Sequence, residues 1–267
     1  MVGAKSHKVL IFALMAGILA FFYMPIISLM VFSFNDSRSL TSWSGFSLQW
    51  YEALFKNREM MMAITTTLSI ALMSTFVATI LGTLAAIGVS KSKCLVKELV
   101  LSVNNFPILN PEIVTAIGLM LLYSSLNIQK GYLTMLLAHI IFSTPYVILS
   151  VLPKLRRLDP DIAEAALDLG ATPLEALWKV IVPMILPGII SGALIAFTMS
   201  FDDFVISYFV SGNGVKNISI LVYTMSKRIN PTINALSTIL VVIITAVLLI
   251  VNLYPMLNKK KELKEAE

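Results

Sequence analysis

A polar segment separates two long apolar runs of the chain, and its residues 154–187 read KLRRLDPDIAEAALDLGATPLEALWKVIVPMILP. Asp159 stands where a helix N-cap is expected, and Pro160 follows it at the first helical position. Helix-forming residues continue from there to Gly170, a residue typical of the position just after a helix C-terminus. A short helix is therefore predicted over residues 162–169.

A second helix start follows the first short helix at once. Thr172 and Glu175 have the spacing of a capping box, and Pro173 stands at the first helical position. The second short helix is predicted to run to about Val180. Two short helices joined by a glycine elbow would form a compact knob at the membrane surface, with apolar side chains at Leu167, Leu169, Leu174, Leu177 and Trp178.

The composition of the chain excludes a soluble enzyme. Of its 267 residues, 57% are hydrophobic and 13% are charged, whereas soluble domains carry about 25% charged residues. A bilayer core about 30 Å thick needs roughly 20 apolar residues in a helix. Six runs meet that length if Glu112 is tolerated in the third. The sequence predicts an all-α integral membrane protein with six transmembrane helices, within residues 9–35, 60–90, 99–129, 131–153, 180–201 and 229–258.

The distribution of basic residues predicts the orientation of these helices. With both termini in the cytoplasm, 13 of the 20 Lys and Arg residues fall in cytoplasmic segments and the other seven fall in outer segments. Lys and Arg accumulate on the cytoplasmic side of membrane proteins. A multi-pass protein with both termini in the cytoplasm is therefore predicted.

The polar segment carries a recognisable pattern: Glu-Ala-Ala at residues 164–166, Gly170, and Val-Ile-Val-Pro at residues 180–183. It resembles the EAA loop of permease subunits of binding-protein-dependent ABC importers, in which Glu-Ala-Ala and Gly precede Ile-x-Leu-Pro at the same spacing. The two valines depart from that pattern in side-chain size only. The resemblance implies a type I ABC importer permease, with a cytoplasmic coupling helix between the fourth and fifth spans that docks on a separate ATP-hydrolysing subunit. It assigns this coupling to Glu164, Ala165, Ala166, Gly170 and Pro183.

Five further segments resemble the spermidine/putrescine permeases of this family, at residues 33–35, 50–51, 111–114, 197–203 and 230–236. This resemblance implies a permease that carries polyamines across a bacterial cytoplasmic membrane by alternating access. The chain divides accordingly into a first helix with its outer loop (1–60), a permease core (61–258, with the EAA loop at about 154–187) and a charged cytoplasmic tail (259–267).

The same resemblance implies a set of partner molecules. They are a second permease subunit in a heterodimer, two ATP-binding subunits and an extracytoplasmic substrate-binding protein, with membrane lipid around the helices and no nucleic acid. The sequence contains no phosphate-binding loop of the G-x-x-x-x-G-K-[ST] kind. ATP and Mg are therefore expected on the partner ATPase, and this chain is expected to be non-catalytic and to bind no cofactor.

Acidic residues inside the apolar runs predict the substrate path. Asp202 and Asp203 are predicted to lie in the hydrophobic region of the fifth helix, where an ionised aspartate near the bilayer centre costs about 2.5–3.5 kcal/mol. Intramembrane carboxylates face a bundle interior or a water-filled cavity, and they commonly mark a substrate path. Carboxylates and aromatic faces both attract ammonium groups. The predicted path residues are Asp202, Asp203, Glu112, Phe201 and Tyr208.

Some of these residues have a second interpretation. Neighbouring residues on a helix point about 100° apart, so a purely structural role stays open for one of the two aspartates. Glu112 is also suited to the first turn of a helix capped by Asn110, with Pro111 at its first position. In that case the third span is interrupted, and its prolines line the path. His139 has no second ligand at a metal spacing, so we interpret it as a buried histidine with satisfied hydrogen bonds, and no metal site is predicted.

Two alternative functions remain. The first is the same importer class with another cargo, such as ferric ion, thiamine or an oxyanion, although an anion would be repelled by the carboxylates. The second is an ion-coupled carrier that works alone and uses Asp202 or Asp203 as a proton or sodium site. A lone carrier needs no coupling helix, so loss of Glu164 would leave it active.

Overall fold

The computed structural model describes residues 2–159, 161–226, 230–246 and 249, and every regular element in these ranges is a helix. An isolated antiparallel bridge joins Asn35 and Phe46. The predicted all-α class is therefore confirmed for the described part of the chain. In chain order the helices are α1 (Val2–Phe32), α2 (Gln49–Lys56), α3 (Arg58–Ser90), α4 (Cys94–Leu109), α5 (Glu112–Ser125), α6 (Tyr132–Leu155), α7 (Asp161–Asp168), α8 (Pro173–Glu175), a π-helical turn (Ala176–Ile181), α9 (Val182–Asp202), α10 (Val205–Val210), α11 (Ile218–Met225) and α12 (Pro231–Ala246).

Among the described residues, four helices are long and apolar enough to cross a membrane. They are Leu10–Phe32 in α1, α3, α6 and the continuous helix Pro173–Asp202, which comprises α8, the π-helical turn and α9. They correspond to the first, second, fourth and fifth predicted spans. The third corresponds to α4 and α5 taken together. The sixth predicted span continues past α12 into residues that lie largely outside those the structure describes, so six spans remain a prediction.

The third predicted span is broken at Asn110 and Pro111. The axes of α4 and α5 differ in direction by 104°. Asn110 is extended, with ψ 144°, as expected for a residue before proline, and its amide still donates to the Phe106 carbonyl at the end of α4. The prediction that Asn110 caps the following helix is wrong. Pro111 occupies the cap position, and α5 begins at Glu112.

The second short helix of the polar segment does not end near Val180, so that prediction is wrong. The chain remains helical from Pro173 to Asp202. Pro183 lies in the first turn of α9 and Pro187 lies inside it, and the chain continues as helix through both. A π-helical turn at Ala176–Ile181 widens the helix before α9 begins. The polar segment therefore forms one short helix, α7, and the first turns of a long one.

The described residues fall into two compact units, residues 62–221 in one and the remainder in the other. Within residues 62–221, α6 and α9 form the most extensive helix pair. Val147 of α6 lies between two glycines. A Cβ atom on Gly82 of α3 would lie 2.6 Å from the Val147 Cβ, and one on Gly192 of α9 would lie 3.1 Å from the Val147 Cα. Small residues thus allow three helices to approach closely, as is usual inside membranes.

In the other unit, a folded loop follows α1. Asn35 is fully buried there, and its amide donates to the carbonyls of Ser39 and Ser42. The indole of Trp50 donates to the Asn35 carbonyl at 2.6 Å, and the Tyr51 hydroxyl lies 2.7 Å from the Ser33 hydroxyl. These contacts hold α2 against the loop.

Candidate functional site

The helix α7 begins where its sequence predicts. The Asp161 amide donates to Asp159 Oδ1 at 3.1 Å, so the Asp159 side chain caps the helix N-terminus. Pro160, the predicted first helical residue, lies outside the described residues. The predicted short helix is confirmed, with bounds of Asp161–Asp168.

Gly170 ends α7 in a Schellman motif. Its φ is +86°, a left-handed conformation that glycine adopts without a steric penalty. The Gly170 amide donates to the Leu167 carbonyl at 2.9 Å, and the Ala171 amide donates to the Ala166 carbonyl at 3.1 Å. Gly170 is therefore the elbow that the sequence predicts.

The capping box beyond the elbow is also present. The Glu175 amide donates to Thr172 Oγ1 at 3.3 Å, and the Thr172 amide donates to Glu175 Oε2 at 3.0 Å. Lys179 donates to the other oxygen of Glu175 at 2.8 Å. The long helix thus begins at a fixed point beside α7.

α7 presents an exposed surface of mixed character. Its Ala163 packs against the buried cluster around Val147 and Ile181, while Glu164 and Ala165 are exposed and Ala166 is half-buried. Large apolar side chains beside them are also exposed: 89% of Leu169, 65% of Leu174 and 59% of Trp178. Pro183 is exposed in the first turn of α9. Of the predicted coupling residues, three share α7, Gly170 ends it, and Pro183 lies on a different helix.

The two adjacent aspartates have different environments. The prediction that both lie inside the fifth helix is wrong for Asp203, because α9 ends at Asp202. Asp203 is extended and buried, and its carboxylate accepts hydrogen bonds from the first-turn amides of α10, from Ile206 at 3.2 Å and from Ser207 at 2.7 Å. Asp203 is therefore tied to the protein's own backbone, whereas the Asp202 side chain is exposed.

His139 of α6 joins the buried groups around Asp203. It is 1% exposed, and its Nδ1 lies 2.6 Å from Ser200 Oγ while its Nε2 lies 2.9 Å from Ser207 Oγ. Asp203 Oδ2 lies 3.5 Å from Nε2. The interpretation of His139 as a buried histidine with satisfied hydrogen bonds is confirmed.

Sequence reasoning missed the partners of Asp203, which come from several helices. Ser74 of α3 continues the network, with its hydroxyl 2.9 Å from that of Ser200. Asn217, just before α11, donates to the Asp203 carbonyl and to Ser207 Oγ, each at 2.9 Å. The sequence offers one local signal for this site. Asp203 stands three and four residues before Ile206 and Ser207, a spacing at which an aspartate can cap the start of a helix.

The chain passes from α9 to α10 through Asp203 and Phe204, which form the α9–α10 junction. The predicted aromatic residues lie on either side of this junction. The rings of Phe201 and Phe197 stack with centroids 5.8 Å apart on α9. Tyr208 is exposed on α10, and its ring lies 5.5 Å from that of Phe204. Exposed carboxylate and exposed aromatic surface thus occur together at the end of α9.

Glu112 lies at the break between α4 and α5, where it begins α5 and is exposed. It lines a cavity of about 20 Å³, close to the space that one water molecule needs. Met199 of α9 and Ile206 of α10 line the same cavity, so Glu112 lies near the α9–α10 junction. The other residues around this cavity are Pro107, Thr115, Phe142 and Tyr146.

Comparison with known sequences identifies relatives over most of the chain. Residues 78–260 match the family model described as "Binding-protein-dependent transport system inner membrane component". The chain is 40% identical over 233 residues to the putrescine transport system permease protein PotI of Escherichia coli strain K12, covering 82% of this chain and 81% of that one. It is 37% identical over 239 residues to the spermidine/putrescine transport system permease protein PotC of Haemophilus influenzae, covering 89% and 93%.

Two solved structures share the fold at low sequence identity. A bacterial ABC transporter involved in import of the acidic polysaccharide alginate superposes with a TM-score of 0.71 at 15% identity, over 96% of each chain. A bacterial alginate ABC transporter in complex with an alginate pentasaccharide-bound periplasmic protein gives a TM-score of 0.67 at 15% identity, over 90% of this chain and 92% of that one. At this level of identity the likeness concerns the fold.

Proposed function

Because this chain belongs to the family of binding-protein-dependent transport system inner membrane components, a family of ABC transporter permease subunits, we propose that it carries polyamines through an ATP-driven importer. Family members are non-catalytic membrane components. The relatives at 37–40% identity are named for putrescine or for spermidine and putrescine transport. Putrescine and spermidine are therefore the proposed cargo.

The structural observation that supports a contact with a cationic cargo is the exposed Asp202 carboxylate at the end of α9. It directly follows Phe201, whose ring stacks on that of Phe197, and Tyr208 is exposed on the next helix. A carboxylate pairs with an ammonium group, and aromatic faces attract the adjacent cationic chain. Asp203 has the protein's own amides as partners, so we assign the contact with cargo to Asp202. Glu112 supplies a second acidic group near the same junction.

The coupling proposal concerns α7 and the elbow after it. An exposed carboxylate at Glu164, alanines that permit close backbone approach and exposed Leu169 together suit a protein interface. We assign to this surface, completed by Gly170 and Pro183, the docking of a separate ATP-hydrolysing subunit. Movement of that subunit would drive alternating access in the permease.

The proposed assembly contains this chain, a second permease subunit, two ATP-binding subunits and an extracytoplasmic binding protein. A protein of the same fold has been solved in complex with a periplasmic protein, which supports the last partner. ATP and Mg belong to the ATP-binding subunits, and this chain carries no cofactor. We place the chain in the bacterial cytoplasmic membrane with both termini in the cytoplasm, following the 13 basic residues on that side.

Uptake by the reconstituted importer tests the cargo. We expect ATP-dependent uptake of labelled putrescine and spermidine into proteoliposomes, and Asp202→Asn should lower kcat/KM about tenfold or more, since a hydrogen bond to a charged group contributes about 1.5–3 kcal/mol. Glu98→Gln on α4 is the matched control, because it also removes an exposed carboxylate and should leave uptake unchanged.

Three outcomes separate the proposals. No polyamine uptake by the wild type, with uptake of ferric ion, thiamine or an oxyanion instead, would overturn the cargo. Undiminished polyamine uptake by Asp202→Asn would keep the cargo and remove Asp202 from the path. Uptake that needs neither ATP nor the binding protein would favour an ion-coupled carrier over an ABC importer.

A further inference from the structure

The buried network joins three helices through short contacts. The Ser74 hydroxyl lies 2.9 Å from the Ser200 hydroxyl. The Ser200 hydroxyl lies 2.6 Å from His139 Nδ1. His139 is therefore linked through Nδ1 to α9 and α3.

The opposite edge of the His139 ring faces the α9–α10 junction. Asn217 donates to Ser207 Oγ, which leaves the Ser207 hydroxyl hydrogen for another acceptor. His139 Nε2 lies 2.9 Å from that oxygen and 3.5 Å from Asp203 Oδ2. The ring thus bridges the last turn of α9 to the first turn of α10 with one nitrogen on each side.

We infer that His139 is a positioning residue, which holds the α9–α10 junction so that Asp202 faces the substrate path. This role rests on the proposed function, because it gives Asp202 the contact with cargo. His139 does not touch cargo, since it is buried and both ring nitrogens have protein partners. It acts through Asp203 and Ser207, whose contacts fix where the helix stops.

The α9–α10 junction contains none of the residues that usually end a helix, so its shape depends on side-chain contacts. No proline or glycine lies between Met199 and Val210. Beyond the end of α9 the Asp203 carboxylate accepts from the amides of Ile206 and Ser207, and a carboxylate at membrane depth is stable only with partners. Removing the imidazole leaves buried hydroxyls and a carboxylate with fewer partners, and continuous helix through residues 203–204 then competes with the break.

A thiol-accessibility measurement tests this position directly. With the sole cysteine removed by Cys94→Ser and a probe introduced by Asp202→Cys, a water-soluble thiol reagent reports how position 202 faces the aqueous path in the purified complex. The rate is taken as the excess over the same complex with Asp202 intact. We expect His139→Leu, which keeps the volume but removes both nitrogens, to change this rate several-fold.

Variants with an amide side chain at position 139 separate a positioning role of His139 from a packing role. His139→Gln places an amide near the Nε2 position and should restore the wild-type rate in large part, whereas His139→Asn places it near Nδ1 and should not. Ser143→Ala is the matched control on α6. Ser143 is 0% exposed one turn from His139, and its hydroxyl has no hydrogen-bond partner among the described residues. Equal rates in the wild type, His139→Leu and His139→Asn would overturn the inference.

Uptake kinetics supply the second readout. For His139→Asn we expect kcat for polyamine uptake to fall about tenfold, because a buried polar group has lost a partner, while KM for the loaded binding protein stays unchanged. A change confined to KM would contradict a role at the junction. If the wild type takes up no polyamine, the proposed cargo fails, but the thiol rates still decide whether His139 sets the orientation of position 202.

Discussion

At the scale of single residues, the helix packing within residues 62–221 depends on glycines that have no room for a side chain. Gly192 of α9 faces Val147 and Ser150 of α6, and a Cβ atom there would lie 3.1 Å from the Val147 Cα and 3.2 Å from the Ser150 Cβ. Backbone cannot move aside as a flexible side chain can. The contact between α6 and α9 therefore has little tolerance for added volume.

We expect Gly192→Leu to lower the free energy of unfolding by about 1–3 kcal/mol, the usual cost of overpacking. Thermal unfolding of the purified complex in detergent measures the change. Gly88→Leu on α3 is the control, since a Cβ atom on Gly88 would have no neighbouring atom within 4 Å, and it should unfold like the wild type. Equal stability of both variants would contradict the close α6–α9 packing.

Asp202 and Asp203 have the same side chain but different surroundings, since Asp202 is exposed and Asp203 is buried. The sequence leaves open a purely structural role for one of the two adjacent aspartates, and it does not say which one. The answer depends on His139 and Asn217, which contact Asp203 through tertiary packing in addition to its local cap. No local pattern reveals that arrangement.

At the scale of helices, α7 combines a defined fold with an exposed surface. Its caps at Asp159 and Gly170 are internal to the segment, so residues next to the helix in the chain satisfy both of its ends. Glu164 and Asp168 are both exposed on it, four residues apart. The effect of removing a carboxylate can therefore be compared at two positions of the same helix.

We expect Glu164→Ala to lower ATP-dependent uptake at least tenfold, since truncating one partner of a charged hydrogen-bonded pair at an interface costs about 2–5 kcal/mol. Asp168→Ala is the control and should retain most uptake, because the EAA pattern does not include it. Uptake and ATP hydrolysis in proteoliposomes measure both effects. Equal losses in the two variants would mean that Glu164 has no specific partner.

Caps and apolar runs made most helices predictable. Asp159, Thr172 with Glu175, and Gly170 act on their own neighbours in the chain, so their effects can be read locally. The ends of the long helix were not predictable in the same way. The sequence predicts its first turns as a separate helix, because a capping box marks where a helix starts but not where it stops. Its last turn stops at Asp202, where the next residue, Asp203, finds buried partners.

At the scale of the whole molecule, much of the apolar surface is not covered by the chain itself. None of the residues from Leu10 to Phe32 in α1 is buried. Such a surface is stable only against lipid or another apolar chain. The composition of the sequence predicts that the chain needs apolar surroundings, and the exposure of α1 identifies this helix as one that needs them.

We expect Phe21→Lys to reduce membrane insertion of α1, because Phe21 is 76% exposed near the middle of the span and a lysine there costs about 2.5–3.5 kcal/mol. The fraction of chain recovered in alkali-washed membranes measures it. Phe55→Lys is the control, because Phe55 is 62% exposed on α2, outside the candidate spans. Full insertion of the Phe21 variant would contradict the assignment of α1 as a span.

The unbroken helix from Pro173 to Asp202 has a mechanical consequence. At 1.5 Å per residue its 30 residues form a rod roughly 45 Å long, anchored at one end by the Thr172 capping box and ending at the other in Asp202. If the proposed docking subunit moves the elbow beside Gly170, an unbroken helix would transmit that movement to its far end as tilt or rotation, through the π-helical turn at Ala176–Ile181. The capping box beside the proposed ATPase-docking surface and the carboxylate proposed to contact cargo thus lie at the two ends of one helix.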